Sequence, residues 1–201
     1  MKRSLNIGVL GIDHGHIFDM LDEMLSEGCT CKFFWTEGSP LTLNEFIKKY
    51  PNIKRVEDKE KILDDKDIDI VLISSIPVDR AKLSIQCLNS GKDVMVDKPG
   101  CTTLEQLNEL KKSVKKTGKI WSVNFSERFH VSAVTKAEKL INDGLIGTVK
   151  QTIGTGPHRQ GNYERPKWFY ERDSYGGIIT DIGSHQIHQF LVFTGSTEAR
   201  I

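Results

Sequence analysis

The sequence predicts an α/β fold in which a doubly wound parallel sheet is followed by the first part of an α+β domain. Three observations support the sheet. Apolar runs of strand length recur along the chain, segments with helical spacing of apolar residues separate them, and glycine or proline follows most of these segments. Strands that alternate with helices form right-handed βαβ units, because a crossover that holds a helix joins parallel neighbours.

The N-terminal elements have clear ends. Leu5–Leu10 is an apolar strand that stops before Gly11, and the apolar residues of Ile17–Leu25 recur at helical spacing until Gly28. We then predict strands at Lys32–Trp35 and Ile53–Val56, and helices at Leu43–Tyr50 and Lys59–Leu63. Pro51 ends the former helix because proline lacks the backbone donor that a helix needs.

The later elements repeat this alternation. Ile68–Ser74 is the clearest buried strand, because its apolar run is unbroken as in a sheet covered on both faces. Helices at Arg80–Asn89 and Leu104–Lys116 and strands at Val94–Val96 and Ile120–Val123 follow. Ligands of doubly wound sheets bind beyond the carboxyl ends of the strands. The segments after Leu10, Trp35, Ser74 and Val96 are therefore predicted to border one crevice.

Composition and charge argue against nucleic-acid and membrane binding. The 201 residues include 28 Lys and Arg against 27 Asp and Glu, and the basic residues are spread along the chain. The longest apolar runs have strand length, and no signal peptide is evident after Met1. Cys29, Cys31, Cys87 and Cys101 lack paired C-x-x-C spacing, so we expect reduced thiols. These features predict a cytoplasmic protein.

The turn after the first strand is a candidate dinucleotide site. Gly11 starts a segment in which the fingerprint Gly-x-Gly-x-x-Gly would place two more glycines. Asp13 and His16 stand there instead, and a carboxylate at the first of these positions repels a pyrophosphate unless it turns away. The helix N-terminus near His14 still offers N–H groups to a phosphate. A loop that only turns the chain is an equally good interpretation.

The predicted cofactor site is completed by segments after the other strands. Glu37 follows the second strand, and an acid there accepts a hydrogen bond from the ribose 2′-hydroxyl, which slightly favours NAD over NADP. No arginine stands beside it for a 2′-phosphate, although Lys32 is near. The predicted cofactor-binding residues are Gly11, Ile12, Asp13, His14, His16, Glu37, Ser75, Asp97, Lys98 and Pro99.

Asp97, Lys98 and Pro99 end an apolar strand and form a candidate chemical site. Proline fixes its own φ and biases the preceding lysine toward extended backbone, so the ammonium leaves the strand in one direction. Such a lysine can point at a ligand. The alternative is an ordinary solvated lysine at a strand end.

A second candidate site lies near the end of the chain. Asp181, His185 and His188 stand at i, i+4 and i+7, on one face of a predicted helix. A carboxylate one turn before an imidazole holds it in one tautomer and raises its basicity, as a general base requires. A solvated polar face and a metal site are the alternatives, and this spacing is common by chance. We predict no metal.

Together these motifs resemble the Gfo/Idh/MocA family, named after glucose-fructose oxidoreductase, inositol dehydrogenase and a rhizopine-catabolism protein. The resemblance rests on the acid-Lys-Pro motif after the fifth strand and on Gly-Gly-x-x-x-Asp-x-Gly-x-His from Gly176 to His185. It implies a Rossmann domain and NAD(P)-dependent hydride transfer to or from a sugar, polyol or related compound. The alternative is a non-catalytic nucleotide-binding or scaffold protein, or an inactive fragment of such an enzyme.

The resemblance also implies residue roles. Lys98 hydrogen-bonds the reacting hydroxyl, His185 removes its proton, and Asp181 binds substrate or orients that imidazole. The chain departs from the family pattern with Asp13 for glycine, Arg80 for histidine, Asp97 for glutamate and His188 for an acid. We expect these departures to change nicotinamide or ribose contacts more than the fold.

Residues 1–124 are predicted to form the dinucleotide-binding domain, and residues 125–201 an incomplete N-terminal part of the substrate domain. A strand at Thr148–Gly154 and a helix ending near Phe193 are expected there, within an open, mostly antiparallel sheet that supports a homo-oligomer. Candidate substrate-binding residues are His158, Arg159, Tyr163, Trp168 and His188. An ordinary polar crossover loop is an equally good interpretation of the segment before the helix.

Overall fold

The computed structural model describes residues 4–156, 158 and 164–197, and the chain divides into two compact units. The first unit comprises Met1–Asn124 and Arg165–Gly176, and the second comprises Phe125–Glu164 and Gly177–Ile201. Trp168 therefore belongs to the first unit, although the sequence analysis assigned its loop to the second domain.

A six-stranded parallel sheet forms the centre of the first unit. Its strands are β1 (Asn6–Leu10), β2 (Thr30–Trp35), β3 (Lys54–Arg55), β4 (Ile70–Ile73), β5 (Asp93–Asp97) and β6 (Trp121–Asn124). They lie in the order β3-β2-β1-β4-β5-β6, and every neighbouring pair is parallel. The order reverses between β1 and β4, which is the switch point where such sheets bind ligands. The predicted doubly wound sheet is confirmed.

Helices cover both faces of this sheet. They are α1 (His16–Ser26), α2 (Leu43–Lys49), α3 (Glu60–Leu63), α4 (Pro77–Asn89) and α5 (Leu104–Thr117). The apolar core is split into two clusters by the sheet. One includes Leu10, Val71, Ile73, Val94 and Val96, and the other includes Ile7, Val9, Phe34 and Leu72. Neighbouring residues of β1 and β4 enter opposite clusters, because successive side chains of a strand point to opposite faces.

The regular elements that the described residues of the second unit form are helical. It contains α6 (Ser126–Phe129), α7 (Ser132–Asn142), a π-helical turn (Ile179–Gly183) and α9 (Ser184–Thr194). The helix predicted to end near Phe193 is present. The strand predicted at Thr148–Gly154 is not formed. An extended segment needs a neighbouring strand for its backbone hydrogen bonds, and the described part of this unit supplies none.

The antiparallel sheet of the second domain therefore stays a prediction. The segment Arg165–Gly176 adds to the first unit a 3-10 turn (Lys167–Tyr170) and α8 (Arg172–Tyr175). None of the helices in the described residues combines the length and the apolar character needed to cross a bilayer.

Candidate active site

Gly11 brings the turn after β1 into contact with the turn after β4. Its φ is +77°, and its N–H donates to the carbonyl of Trp35 at 2.7 Å. A Cβ at this position would lie 2.5 Å from the Cβ and 2.7 Å from the Cα of Ser75. Glycine is therefore required both by the backbone conformation and by the close packing of the two turns.

Further hydrogen bonds join the same two turns. The N–H of His14 donates to the carbonyl of Ser74 at 3.1 Å, and the N–H of Ser74 donates to the carbonyl of Gly11 at 3.2 Å. The hydroxyl of Ser74 donates to the carbonyl of His14 at 3.1 Å. These contacts hold the N-terminus of α1 at the carboxyl end of the sheet, where its dipole favours an anion.

A crevice of about 230 Å³ opens beside these turns in the first unit. It brings together Gly11, Asp13, Glu37 and Ser75, which are four of the predicted cofactor residues. The lining also includes Trp35, Gly38, Lys59, Ile76, Asp79, Lys82 and Leu83, which the sequence analysis did not single out. Ile12 is fully buried in the core, so its side chain is not a crevice wall.

Asp13 stands at the position of the second glycine in the dinucleotide fingerprint. Burial raises the pKa of its carboxyl to about 6, although the guanidinium of Arg80 opposes the rise. The carboxylates of Asp79 and Glu37 add to it. Asp13 therefore changes charge near neutral pH, and the repulsion of an anionic ligand depends on that change.

Lys59 and Lys82 supply the basic side chains of the crevice. Lys59 Nζ lies 5.6 Å from the centre of the Trp35 ring, within the range of a cation–π contact. Lys32, the base near Glu37 in sequence, instead lies 3.1 Å from Asp67 Oδ2 and is outside this lining. The crevice therefore offers an acid for a ribose hydroxyl and two ammonium groups for a phosphate.

Asp97 accepts hydrogen bonds from three side chains of the first unit. Its Oδ2 lies 3.0 Å from Arg80 Nη2 and 3.1 Å from His14 Nδ1, and its Oδ1 lies 2.8 Å from His16 Nδ1. Burial would raise the pKa of this fully buried carboxyl, but Arg80, His14 and His16 hold it well below its ordinary value. Asp97 is therefore an anion at neutral pH.

Arg80 is itself fully buried beneath the same strand end. Its Nη1 donates to the carbonyls of Asp97 and Pro99 at 3.1 and 3.3 Å and also to that of Lys98, while its Nε donates to the carbonyl of Ser75 at 2.8 Å. Lys98 is only 5% exposed, and its peptide bond to Pro99 is cis. The alternative of a solvated lysine is therefore wrong.

His14, His16 and Asp97 also have potential metal-ligand atoms within 4.8 Å of one another. Arg80 already contacts one oxygen of the carboxylate, so a cation there would meet a fixed positive charge. Among the described residues, Asp181, His185 and His188 do not form such a set. The metal interpretation of that motif has no support in this part of the chain.

The second unit carries the predicted acid and imidazoles. Asp181 lies in the π-helical turn and is 9% exposed, and His185 at the start of α9 is 2% exposed. The irregular turn changes the spacing that an uninterrupted α-helix would give, and such turns are frequent at functional sites. Both side chains are buried rather than solvated, so the alternative of a solvated helix face is wrong for these two residues.

Aromatic contacts surround His185 within the second unit. The His188 ring stacks on Phe125, with centres 4.1 Å apart, and the His158 ring lies parallel to that of His185 at 6.4 Å. His158 Nε2 also lies 3.3 Å from Glu127 Oε1. Burial lowers the pKa of His188, and Arg128 contributes to the shift. The lowered pKa favours the neutral form of the His188 imidazole, whose ring packs on Phe125.

The other predicted substrate residues do not all lie in the second unit. Trp168 lies in the first unit, where its ring centre is 6.3 Å from that of His14. Arg159 and Tyr163 lie outside the described residues. Trp168 was predicted only from the composition of its loop. Its contact with His14 places it beside the turn after β1.

Two family descriptions match most of the chain. Residues 39–125 match the Gfo/Idh/MocA oxidoreductase family with an NAD-binding Rossmann fold, and residues 134–200 match a C-terminal domain of that family. The chain belongs to the Gfo/Idh/MocA family. The recognition made from the motifs is confirmed.

Curated members of the Gfo/Idh/MocA family include scyllo-inositol 2-dehydrogenase (NADP(+)) of Bacillus subtilis. It is 26% identical over 98% of this chain and 53% of its own length. Levoglucosan dehydrogenase of Pseudarthrobacter phenanthrenivorans is 25% identical over 98% of this chain and 53% of its own length. This chain thus spans about half the length of the curated relatives that it matches.

Solved structures of the family agree with the fold. A protein of Erwinia carotovora atroseptica SCRI1043, assigned as an oxidoreductase, is 39% identical and superposes with a TM-score of 0.94 over 98% of this chain and 59% of its own. Levoglucosan dehydrogenase in complex with NADH has a TM-score of 0.76 at 22% identity, over 96% of this chain and 54% of its own. At that identity the second match supports the fold alone.

Two residues that differ from the Gfo/Idh/MocA pattern contact each other. Asp97 stands for the glutamate of the family motif and Arg80 for its histidine, and the two side chains pair at 3.0 Å. The expectation that Arg80 alters nicotinamide or ribose contacts is not supported by its position, because its side chain is fully buried against protein carbonyls. Sequence spacing alone could not reveal a pair that joins α4 to β5.

Proposed function

We propose that this chain is part of an NAD(P)-dependent oxidoreductase that interconverts a CH–OH group of a sugar, polyol or related compound and the corresponding carbonyl. The observation that carries the proposal is Lys98, a buried lysine at the carboxyl end of β5 in a family of oxidoreductases. The named substrates of the relatives, scyllo-inositol, D-xylose and levoglucosan, support this substrate class.

The residues of the first unit fit a dinucleotide. Gly11, Asp13 and Ser75 line the crevice, so the turns after β1 and β4 are available to a ligand there. Glu37 is available to a ribose hydroxyl, which favours NAD, and Lys59 and Lys82 would serve a 2′-phosphate. When bound, the nicotinamide accepts or returns the hydride.

Each catalytic side chain has one task in the proposed reaction. Lys98 donates a hydrogen bond to the substrate oxygen and stabilises the negative charge that develops on it. His185 takes the hydroxyl proton during oxidation and returns it during reduction, and Asp181 orients that imidazole or binds substrate. The balanced reaction converts alcohol and NAD(P)+ to carbonyl, NAD(P)H and one proton.

The proposal also covers the cellular compartment and the oligomeric state of the enzyme. The four cysteines, Cys29, Cys31, Cys87 and Cys101, are free thiols, which suits a reducing cytoplasm. We also propose a homo-oligomer that forms through the second domain.

Titration with NADH and NADPH, followed by nicotinamide fluorescence, tests the cofactor site. Saturable binding and turnover of cyclic polyols or sugars support the proposal. The Lys98→Ala variant is expected to bind the dinucleotide with little change but to lower kcat by about 100-fold to 10,000-fold, since it removes charge stabilisation in the transition state. Lys32→Ala, which removes an exposed lysine paired with Asp67, is the matched control.

Two results would contradict the proposal. Normal turnover by Lys98→Ala would remove this lysine from the chemistry. Saturable dinucleotide binding without turnover of any hydroxy compound would favour the non-catalytic alternative, which the acidic Asp13 in the crevice makes worth testing.

A further inference from the structure

One buried carboxylate joins two turns that the proposed function uses separately. Asp97 immediately precedes Lys98, while His14 and His16 belong to the turn after β1. These histidines lie more than eighty residues before Asp97 in sequence, yet both contact it directly. A displacement of Asp97 would therefore move the first turn and the lysine turn together.

Arg80 restrains the other side of this carboxylate. It contacts Oδ2 of Asp97 and donates to the backbone carbonyls on both sides of the Lys98–Pro99 bond. It also donates to the carbonyl of Ser75, the residue against which Gly11 packs. Arg80 therefore contacts the turns after β4 and β5 and reaches the turn after β1 through Asp97.

Charge and burial make this arrangement sensitive to small changes. Arg80 and Asp97 are both fully buried, so removal of one leaves the other as an uncompensated charge. The planar guanidinium fork serves several acceptors at once, which a lysine ammonium cannot do with the same geometry. The pair has the rigidity expected of a support for functional groups.

We propose that Arg80 and Asp97 are positioning residues that couple dinucleotide binding at the turn after β1 to the placement of Lys98. This inference rests on the proposed function. Neither side chain touches substrate or cofactor in this scheme. Asp97 sets the orientation of His14 and His16 in the first turn, and Arg80 sets the backbone that carries the lysine.

The Asp97 carboxylate fixes the tautomer of one imidazole. Because this carboxylate only accepts hydrogen bonds, His16 donates to it from Nδ1 at 2.8 Å. Nδ1 of His14 faces both the same carboxylate and the N–H of His16, which donates to it at 3.4 Å, so Asp97 alone does not set the His14 tautomer. Nitrogen-15 NMR is therefore expected to show an Nδ1–H tautomer for His16, one of the six histidines. This signature does not depend on any cofactor.

The test compares Asp97→Asn and Arg80→Lys with Asp67→Asn, which alters an exposed carboxylate of the same unit. Asp97→Asn is expected to alter the Nδ1–H signal of His16 and to raise the Kd of NADH by about 5-fold to 150-fold. It is also expected to lower kcat by about 100-fold through misplacement of Lys98. Arg80→Lys keeps the charge, and smaller effects in the same directions are expected.

The outcomes separate this inference from the proposed function. An altered His16 signal in folded Asp97→Asn with unchanged Kd and kcat would overturn the coupling but would not contradict the proposed oxidoreductase function. Wild-type protein that binds neither NADH nor NADPH would overturn both. If Asp97→Asn does not fold, Asp97→Glu supplies the test, because it keeps the charge but changes the reach to both histidines, and unchanged Kd and kcat would again overturn the coupling.

Discussion

At the scale of single residues, Asp13 gives the crevice a charge that depends on pH. A carboxyl with a pKa of about 6 is divided between both forms near neutrality. The deprotonated form repels a pyrophosphate and the protonated form does not. Burial lowers the pKa of His14, and protonation of this imidazole would act in the same direction, because it adds positive charge to the same turn.

Asp13→Asn is expected to remove most of the pH dependence of dinucleotide binding. In the unaltered protein, we expect the Kd of NADH to be smallest below pH 6 and to rise as Asp13 loses its proton. A repulsion of about 1.4 kcal/mol corresponds to about a tenfold rise. Fluorescence titrations across this range provide the measurement. An equally steep rise in the variant would assign the dependence to other groups.

The same substitution is expected to stabilise the fold at neutral pH. The pKa of Asp13 is about 6 in the folded protein and 3.8 ordinarily, so the folded state binds this proton more tightly. Stability therefore falls as pH rises between these values and stays lower above them. Asp13→Asn should raise the free energy of unfolding by about 2 kcal/mol above pH 6 and by far less near pH 4. Urea denaturation at both ends of this range tests the difference.

Residue types along the sequence predicted part of this site. Gly11 and Lys98 were identified because a glycine after a strand and a lysine before proline have local consequences. Arg80 was noted only as a departure, since its partners lie on other elements. Contacts of this kind follow from the strand order, which no local pattern encodes.

At the scale of elements, the turn after β1 depends on one close approach. Gly11 and Gly28 both have positive φ, but a Cβ at Gly28 would meet nothing within 4 Å, whereas one at Gly11 would meet Ser75. Alanine at Gly28 would therefore change stability through backbone conformation alone, whereas alanine at Gly11 would add a steric clash.

Gly28→Ala is expected to cost about 1 kcal/mol of stability, because alanine disfavours this conformation. Gly11→Ala should cost at least about 2 kcal/mol more, because the turns after β1 and β4 must separate. It should also weaken NADH binding, which Gly28→Ala should leave unchanged. Chemical denaturation and NADH titration of both variants give the comparison. Equal costs would mean that the turn relaxes around the added methyl group.

Element prediction succeeded where each element has local signals. Most strands of the first unit contain short apolar runs, whereas β3 is the exposed charged pair Lys54–Arg55, and all six strands were expected. The segment Thr148–Gly154 has strand-like composition but forms no strand here. Its hydrogen-bond partners would come from distant parts of a sheet, so composition alone could not determine its state.

At the scale of the whole molecule, the two units differ in how fully they cover apolar surface. Exposed large apolar side chains of the second unit are Phe129, Val131, Leu145, Ile146, Ile153, Ile178, Ile179 and Ile187. Ile153 is 84% exposed and Ile179 is 73% exposed. Apolar surface of this kind favours association between chains.

The double substitution Ile146→Glu and Ile153→Glu is expected to reduce self-association of the chain, because charges on that surface repel one another. Leu104→Glu is the control, since Leu104 is 73% exposed but lies on α5 in the first unit. Light scattering over a range of protein concentrations provides the measurement. A mass that is independent of concentration and equal in all variants would contradict this role.

The strand order has a consequence for synthesis on the ribosome. The central strand β1 pairs with β2 on one side and with β4 on the other. At about 5 to 20 residues per second, β1 waits several seconds for β4 after it leaves the tunnel. During that interval its edge is open to other chains, so codons that slow translation between residues 11 and 70 would lengthen the period of greatest aggregation risk.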